Sequence, residues 1–300
     1  MSGGVDSTAA LLHCTHEFSH VRAVFVATSE KGPPAEAVES CRLLGVELMV
    51  IPGQKAFQER VRTPSEEMFS QGLTPNPCAM CNATVKLAVP FGMLSPGELL
   101  ATGHYASMIR GKLFRGKDPV KDQSYFLSMV PLDILDRCHF PLGSSIKTQV
   151  RELVVKAGLP FLKRESQDLC FQPMPRGVPG DILNMNGEKV GEHSGLQGYT
   201  PGQRKGIGAH GEPRFVVRLD NQRNTVVIGS MENLYSGGCF IDTINWLREP
   251  GEEEFSCLVQ TRYRKPAVSA RVKKTGPGLE VVFQEPQRAV SPGQVGALYR

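Results

Sequence analysis

The chain has 300 residues, 40% hydrophobic and 21% charged, with a formal net charge of +4. That is enough apolar material to bury a core and divide into two or three domains, and no apolar run approaches membrane-spanning length. The N-terminus lacks the basic-then-apolar pattern of a secretion signal, so the expected location is the cytoplasm, with no membrane contact. In that compartment the eight cysteines (Cys14, Cys41, Cys78, Cys81, Cys138, Cys170, Cys239 and Cys257) read as core, catalytic or metal-binding residues rather than a disulfide framework. Residues 201–300 carry 14 Lys+Arg against 10 Asp+Glu, so the whole positive excess lies in the last third, a weak hint of a polyanionic partner there.

The chain opens on Ser2-Gly3-Gly4-Val5-Asp6-Ser7, followed at once by the helical run Thr8–His13. A small-residue loop feeding a helix N-terminus offers unpaired backbone N–H groups and the positive end of the helix dipole, which together suit phosphate. Ser2 and Ser7 add hydroxyls, and Asp6 can hold Mg2+ or cap the helix. The string resembles the pyrophosphate loop of the ATP pyrophosphatase superfamily, which implies activation by adenylation. The kinase-type GxxxxGK[ST] loop is absent. In that superfamily a strand precedes the loop, whereas here one residue does; the expectation is that the natural start lies upstream.

Arg22–Ala27 and Glu47–Ile51 read as buried strands around a helix over Glu36–Leu44 that Gly45 ends. Strand, helix, strand in that order predicts an α/β fold with a parallel doubly wound sheet, and phosphate loops in such sheets lie at the carboxyl ends of strands. In Thr74-Pro75-Asn76-Pro77-Cys78-Ala79-Met80-Cys81-Asn82 two prolines stiffen the backbone just before two thiols. A lone C-x-x-C stays ambiguous between redox chemistry, metal binding and accident. Leu99–Ala106 reads as a strand ending in Gly103-His104, where glycine would let a nucleotide approach. Lys121-Asp122-Gln123 stands at a charged helix start, and a helix over Thr148–Ala157 is stopped by Gly158 and Pro160. Ser166–Phe171 sets Cys170 among apolar residues, and short strands over 215–219, 225–228, 255–260, 268–272 and 279–283 give the last third a β character.

With Ser2–Ser7, Thr74–Asn82, Gly103–Tyr105, Lys121–Phe126 and Ser166–Phe171 in this order, the chain resembles the tRNA-specific 2-thiouridylases. Gly191-Glu192-His193, Tyr199–Gly206, Arg262-Tyr263-Arg264 and Ser291–Gln294 extend the resemblance over essentially the whole length. It implies a pyrophosphate-loop domain over 1–165, a small middle domain over 166–236 and an RNA-contacting β-barrel over 237–300. It also implies ATP-dependent thiolation of a tRNA wobble uridine, with Mg2+ and a persulfide or sulfide donor protein, by a chain acting as a monomer. Cys170 would receive the sulfur and Cys81 would attack it, releasing sulfide or closing a disulfide; both thiols should be partly exposed and electropositive. Ser2, Gly3, Gly4, Asp6, Ser7, Val26 and Gly103 would hold ATP. Asn76, Pro77, His104, Lys121, Asp122, Gln123, Arg262, Tyr263 and Gln294 would contact tRNA.

One departure stands out. The family's pattern has aspartate where this chain has Cys78, which creates a third thiol. Related thiolation enzymes hold a [4Fe–4S] cluster on three cysteines, so Cys78, Cys81 and Cys170 are read either as cluster ligands or as a persulfide pair with a spare thiol. The other five cysteines read as core. Two rival functions remain: another adenylating synthetase of the amidotransferase type, and a non-catalytic RNA-binding or sulfur-carrier protein.

Overall fold

The computed structural model describes residues 1–163, 177–209 and 211–300. These form two compact units. The first takes the described residues of Met1–Val61, Cys78–Cys170 and Asn245–Arg248; the second takes those of Arg62–Pro77, Phe171–Ile244 and Glu249–Arg300.

The first unit is α/β. Helix α1 (Val5–Glu17) leads to strand β1 (Ala23–Ala27), helix α2 (Ala35–Leu43) and strand β2 (Leu48–Pro52). The strands pair in parallel, Ala23 opposite Leu48 through Ala27 opposite Pro52. Leu11, Ala23 and Cys41 fuse α1, β1 and α2 into one buried cluster. Gly45 ends α2 in the left-handed region at φ +66, with Val46 N–H returning to the Cys41 carbonyl, as helix C-termini commonly close.

There follow α3 (Gln54–Phe57), a π-helical turn Gln58–Arg62, α4 (Thr63–Ser70), which belongs to the second unit, and then α5 (Pro77–Cys81), a second π-helical turn Asn82–Lys86, and α6 (Ala88–Phe91). Strand β3 (Leu100–Ala101) pairs in parallel with β6 (Cys138–His139). Between them lie the antiparallel hairpin β4 (Ala106–Ile109) and β5 (Lys112–Arg115) and the short helices α7 (Ser124–Leu127) and α8 (Leu132–Asp136). Helix α9 (Lys147–Lys156) then packs Val150 and Val154 against Val5, Ala9 and Leu12 of α1. A parallel bridge joins Gly4 to Leu162 beside the loop that starts α1.

The second unit holds two sheets. Strands β7 (Gly180–Leu183), β8 (Lys189–His193), β9 (Phe215–Asp220) and β10 (Thr225–Gly229) line up as β8-β7-β10-β9, with β7 and β10 parallel. Ile182, Val216, Val226 and Ile228 from these strands bury Leu196, Tyr199 and Ile207. Strands β11 (Tyr235–Ile241), β12 (Glu254–Gln260), β13 (Val268–Thr275), β14 (Gly278–Arg288) and β15 (Ala297–Tyr299) form an antiparallel sheet in the order β11-β14-β13-β12-β15. Over residues 279–284 strand β14 alternates, Leu279, Val281 and Phe283 buried and Glu280, Val282 and Gln284 exposed, as a half-buried strand does. Among the described residues no helix is long and apolar enough to cross a membrane.

Candidate active site

The Gly-rich loop enters α1 with Ser2 N–H donating to Ser7 Oγ at 3.2 Å and Gly4 N–H to Ser2 Oγ at 3.4 Å. Gly4 is the N-cap and no side chain caps the 13-residue helix, so the N–H groups of its first turn lack a side-chain acceptor. The Ser2 and Ser7 hydroxyls lie 3.0 Å apart, and Ser7 Oγ donates to the Gly4 carbonyl at 2.9 Å. Gly3 sits at φ +75, and a Cβ there would come within 3.2 Å of Pro34 Cβ, so this bend belongs to glycine.

Asp6 neither caps α1 nor stands open. Lys147 Nζ, at the first residue of α9, donates to both its oxygens at 2.8 Å, and the buried Tyr105 hydroxyl donates to Oδ1 at 2.8 Å. The carboxylate is paired here with an ammonium whose side chain is 12% exposed. Tyr105 is itself clasped through its main chain. Its N–H donates to Gln123 Oε1 at 3.0 Å and its carbonyl accepts from Gln123 N–H at 2.9 Å. Asp122 accepts from Gly116 N–H and from the Ser124 N–H and hydroxyl, bracing the chain as it enters α7. The Asp122 and Gln123 side chains thus shape their own segment.

Gly103 does make a close approach, but to protein. A Cβ there would lie 2.7 Å from the carbonyl carbon and oxygen of Asp6 and 3.0 Å from Ser7 N, so glycine lets this turn press on the start of α1. Gly103→Ala is therefore expected to cost about 1–3 kcal/mol through backbone overlap, read as a lower urea midpoint. Gly32→Ala, with nothing within 4 Å of its Cβ, serves as the silent control. Next door, half-buried His104 is fixed by Thr102 Oγ1 at 2.7 Å from Nδ1. Burial first, and the Lys86 ammonium second, lower its pKa to about 3, so the ring is neutral at physiological pH. Val26, half-buried, lies near the carboxyl end of β1.

In the same unit α5 carries both thiols, Cys78 and Cys81. Cys78 is half-buried, whereas Cys81 is 4% exposed. Partial exposure, expected of the reacting pair Cys81 and Cys170, fails for Cys81, which is buried along with its neighbours Ala79 and Asn82. Burial raises the other thiols: Cys14 and Cys257 to about 11, Cys138 to about 12, and Cys41 and Cys239 in the same direction. Cys14, Cys41 and Cys138 are buried as expected of core thiols, whereas Cys239 and Cys257 are only half-buried. Cys170 lies outside the described residues. Among the described residues no group of three or more His, Cys, Asp or Glu could hold a metal ion.

In the second unit Thr74–Pro77 meets a segment more than two hundred residues on. Thr74 N–H donates to the Pro292 carbonyl at 2.8 Å, and Gln294 Nε2 reaches the Pro75 carbonyl at 3.4 Å. Arg262 Nη2 joins the Pro201 carbonyl (2.9 Å) to Ser291 Oγ (2.7 Å), and Tyr263 lies under the Arg264 guanidinium. Four expected motifs, Thr74–Pro77, Tyr199–Gly206, Arg262–Arg264 and Ser291–Gln294, are thereby tied together.

Three family models match in register with this architecture: a "tRNA methyl transferase HUP domain" over residues 1–174, a "tRNA methyl transferase PRC-barrel domain" over 172–230 and an "Aminomethyltransferase beta-barrel domain" over 236–300. Proteins named "tRNA-specific 2-thiouridylase MnmA" match from end to end. The one from Nitratidesulfovibrio vulgaris strain Miyazaki F is 40% identical over 333 residues, covering 100% of this chain and 94% of its own. That from Chloroflexus aurantiacus is 38% identical over 336 residues, with the same coverage, and that from Acidithiobacillus ferrooxidans 35% over 333. The chain belongs to the tRNA-specific 2-thiouridylase family.

The sequence singled out the Gly-rich loop and the thiol turn, and it missed the groups that organise Asp6. Lys147 fell just outside the helix read over Thr148–Ala157, and Tyr105 looked like the tail of a strand. Both reach Asp6 across about a hundred residues or more of sequence, and no local pattern announces such a reach. A basic residue at the first position of a helix is the one available signal, because a cation at the positive end of a helix dipole is unfavourable without a partner.

Proposed function

We propose that the chain is a tRNA 2-thiouridylase, which uses ATP to adenylate the C2 oxygen of a wobble uridine and then replaces that oxygen with sulfur. One observation carries the reading: a single compact unit holds both the uncapped Gly-rich loop and the Cys78/Cys81 turn, in a chain similar over its whole length to proteins named 2-thiouridylases. The polyphosphate of ATP suits this loop. Ser2, Gly3, Gly4 and Ser7 offer main-chain and hydroxyl donors, Val26 and Gly103 flank them, and Lys147 brings the cation. Asp6 holds that ammonium in place, and any Mg2+ that accompanies the phosphates must share the carboxylate with it.

Sulfur then needs a nucleophile. Attack of the Cys81 thiolate on a Cys170 persulfide forms a Cys81–Cys170 disulfide and releases hydrosulfide; hydrosulfide adds at C2, AMP leaves, and a thiol reductant resets the disulfide. In this reading 1–165 holds ATP, 166–236 brings Cys170 and 237–300 grips RNA. Asn76, Pro77, His104, Lys121, Arg262, Tyr263 and Gln294 face the splayed anticodon loop, and Asp122 and Gln123 present Lys121 to it. The [4Fe–4S] reading of the three cysteines is the alternative that the last experiment of the Discussion separates.

Incubation with ATP, unmodified tRNA and sulfide or a persulfide-bearing donor protein is expected to give 2-thiouridine by nucleoside mass spectrometry, with AMP and pyrophosphate released in equal amounts only when tRNA is present. Turnover without tRNA would make the chain a small-molecule synthetase. Binding of tRNA with no pyrophosphate would make it a carrier, and a methylated uridine would favour the methyl transfer named by the domain models.

A further inference from the structure

Asp118 lies in the loop between the β4–β5 hairpin and the Lys121–Gln123 segment, with only 6% of its surface exposed. Its carboxylate divides its two oxygens between two places. Oδ1 accepts from Val120 N–H at 3.0 Å and Lys121 N–H at 3.3 Å, while Oδ2 accepts from Lys147 N–H, 29 residues on, at 3.0 Å. Helix α9 has no side-chain cap from its own N-cap residue Ile146, so Asp118 supplies from a distance both an acceptor and the negative charge that a helix N-terminus favours. The residue so fixed is Lys147, whose ammonium reaches Asp6.

We infer that Asp118 is the positioning residue for Lys147: one buried carboxylate fixes the first turn of α9 and the Lys121 main chain together, so that the ammonium on the ATP loop and the RNA-facing segment share one anchor. The inference deepens the proposed function, since its kinetic readout is tRNA-dependent pyrophosphate release. In Asp118→Asn one oxygen becomes an N–H donor, so the side chain serves the loop or Lys147 but not both. A small displacement of a positioned group is enough to cost a large factor in rate.

The test uses the full chain as wild type, Asp118→Asn, Lys147→Ala and the double variant. Asp118→Asn is expected to slow pyrophosphate release by at least about tenfold and to add nothing once Lys147 is alanine, because residues acting through one group are not additive. ATP dissociation constants are measured alongside, so that a Lys147→Ala chain too slow to time still completes the cycle. Independently of turnover, limited acylation followed by peptide mapping should label Lys147 more in Asp118→Asn than in wild type, with exposed Lys112 unchanged. If Asp118→Asn does not fold, Asp118→Glu, which keeps the charge but displaces it by one methylene, takes its place in every arm. Equal factors on both backgrounds, or unchanged Lys147 labelling, would overturn the inference. A wild type that releases no pyrophosphate would instead count against the proposed function, and the labelling arm would still decide on Asp118.

Discussion

Asp6→Ala is expected to abolish tRNA-dependent pyrophosphate release, a loss of at least about a thousandfold, while the tRNA dissociation constant stays within about twofold of wild type because no phosphate contact is removed. The size follows from what the carboxylate holds. Lys147 donates to both its oxygens and Tyr105 to one, so without Asp6 the ammonium loses its anchor and the tyrosine hydroxyl its acceptor. Removing one partner of a mostly buried pair also leaves the other charge uncompensated, which is the costly way to break such a contact. Asp6→Asn separates the two effects. It keeps an acceptor for Tyr105 and the shape of the turn but not the charge, so it should recover only the part of the stability loss that belongs to the tyrosine, without restoring turnover. Pyrophosphate release by Asp6→Ala at a tenth of the wild-type rate or more would remove the loop from the chemistry.

How much of this was legible in the sequence varies with how local the cause is. The strands Ala23–Ala27 and Leu48–Pro52 and the helix between them follow from short apolar runs and a glycine stop, and they form where the pattern puts them. The β4–β5 hairpin escaped notice although Arg110 and Gly111 at its tip both take positive φ, the two-residue turn that x-Gly pairs favour. Strand β11 was hidden by its adjacent glycines. A Cβ at Gly238 would lie 2.3 Å from the Val281 carbonyl oxygen, so glycine there serves close pairing across an irregular register. Strands β9 and β10 were read as strands within the middle domain, but their sheet partners β7 and β8 were not read at all. Period-two alternation identifies a strand without naming its neighbour. The same limit governs the site. Ser2–Ser7 was visible because loop and helix adjoin in sequence, whereas Gly103 pressing on Asp6, and Lys147 reaching it, are products of tertiary packing.

The thiols carry the other large effect, and the structure sharpens which of them to change. Cys78 is the more open, Cys81 is 4% exposed, and the resemblance places an aspartate where Cys78 stands. On the persulfide route Cys81→Ala is expected to lower thiolation by at least about a thousandfold, whereas Cys78→Asp, which puts the family's carboxylate back, keeps activity close to wild type. The burial of Cys81 adds a kinetic mark: without tRNA a thiol-alkylating reagent should modify Cys78 before Cys81, because access and thiolate character set the rate. If instead Cys78, Cys81 and Cys170 bind a [4Fe–4S] cluster, each thiolate is a ligand and each single Cys→Ala change should bleach the protein and stop thiolation together. Protein purified without air and assayed for iron and acid-labile sulfide decides between them. Iron-free wild type whose Cys78→Asp variant thiolates tRNA at full rate excludes the cluster, while stoichiometric iron lost from every one of the three variants excludes the persulfide pair with a spare thiol.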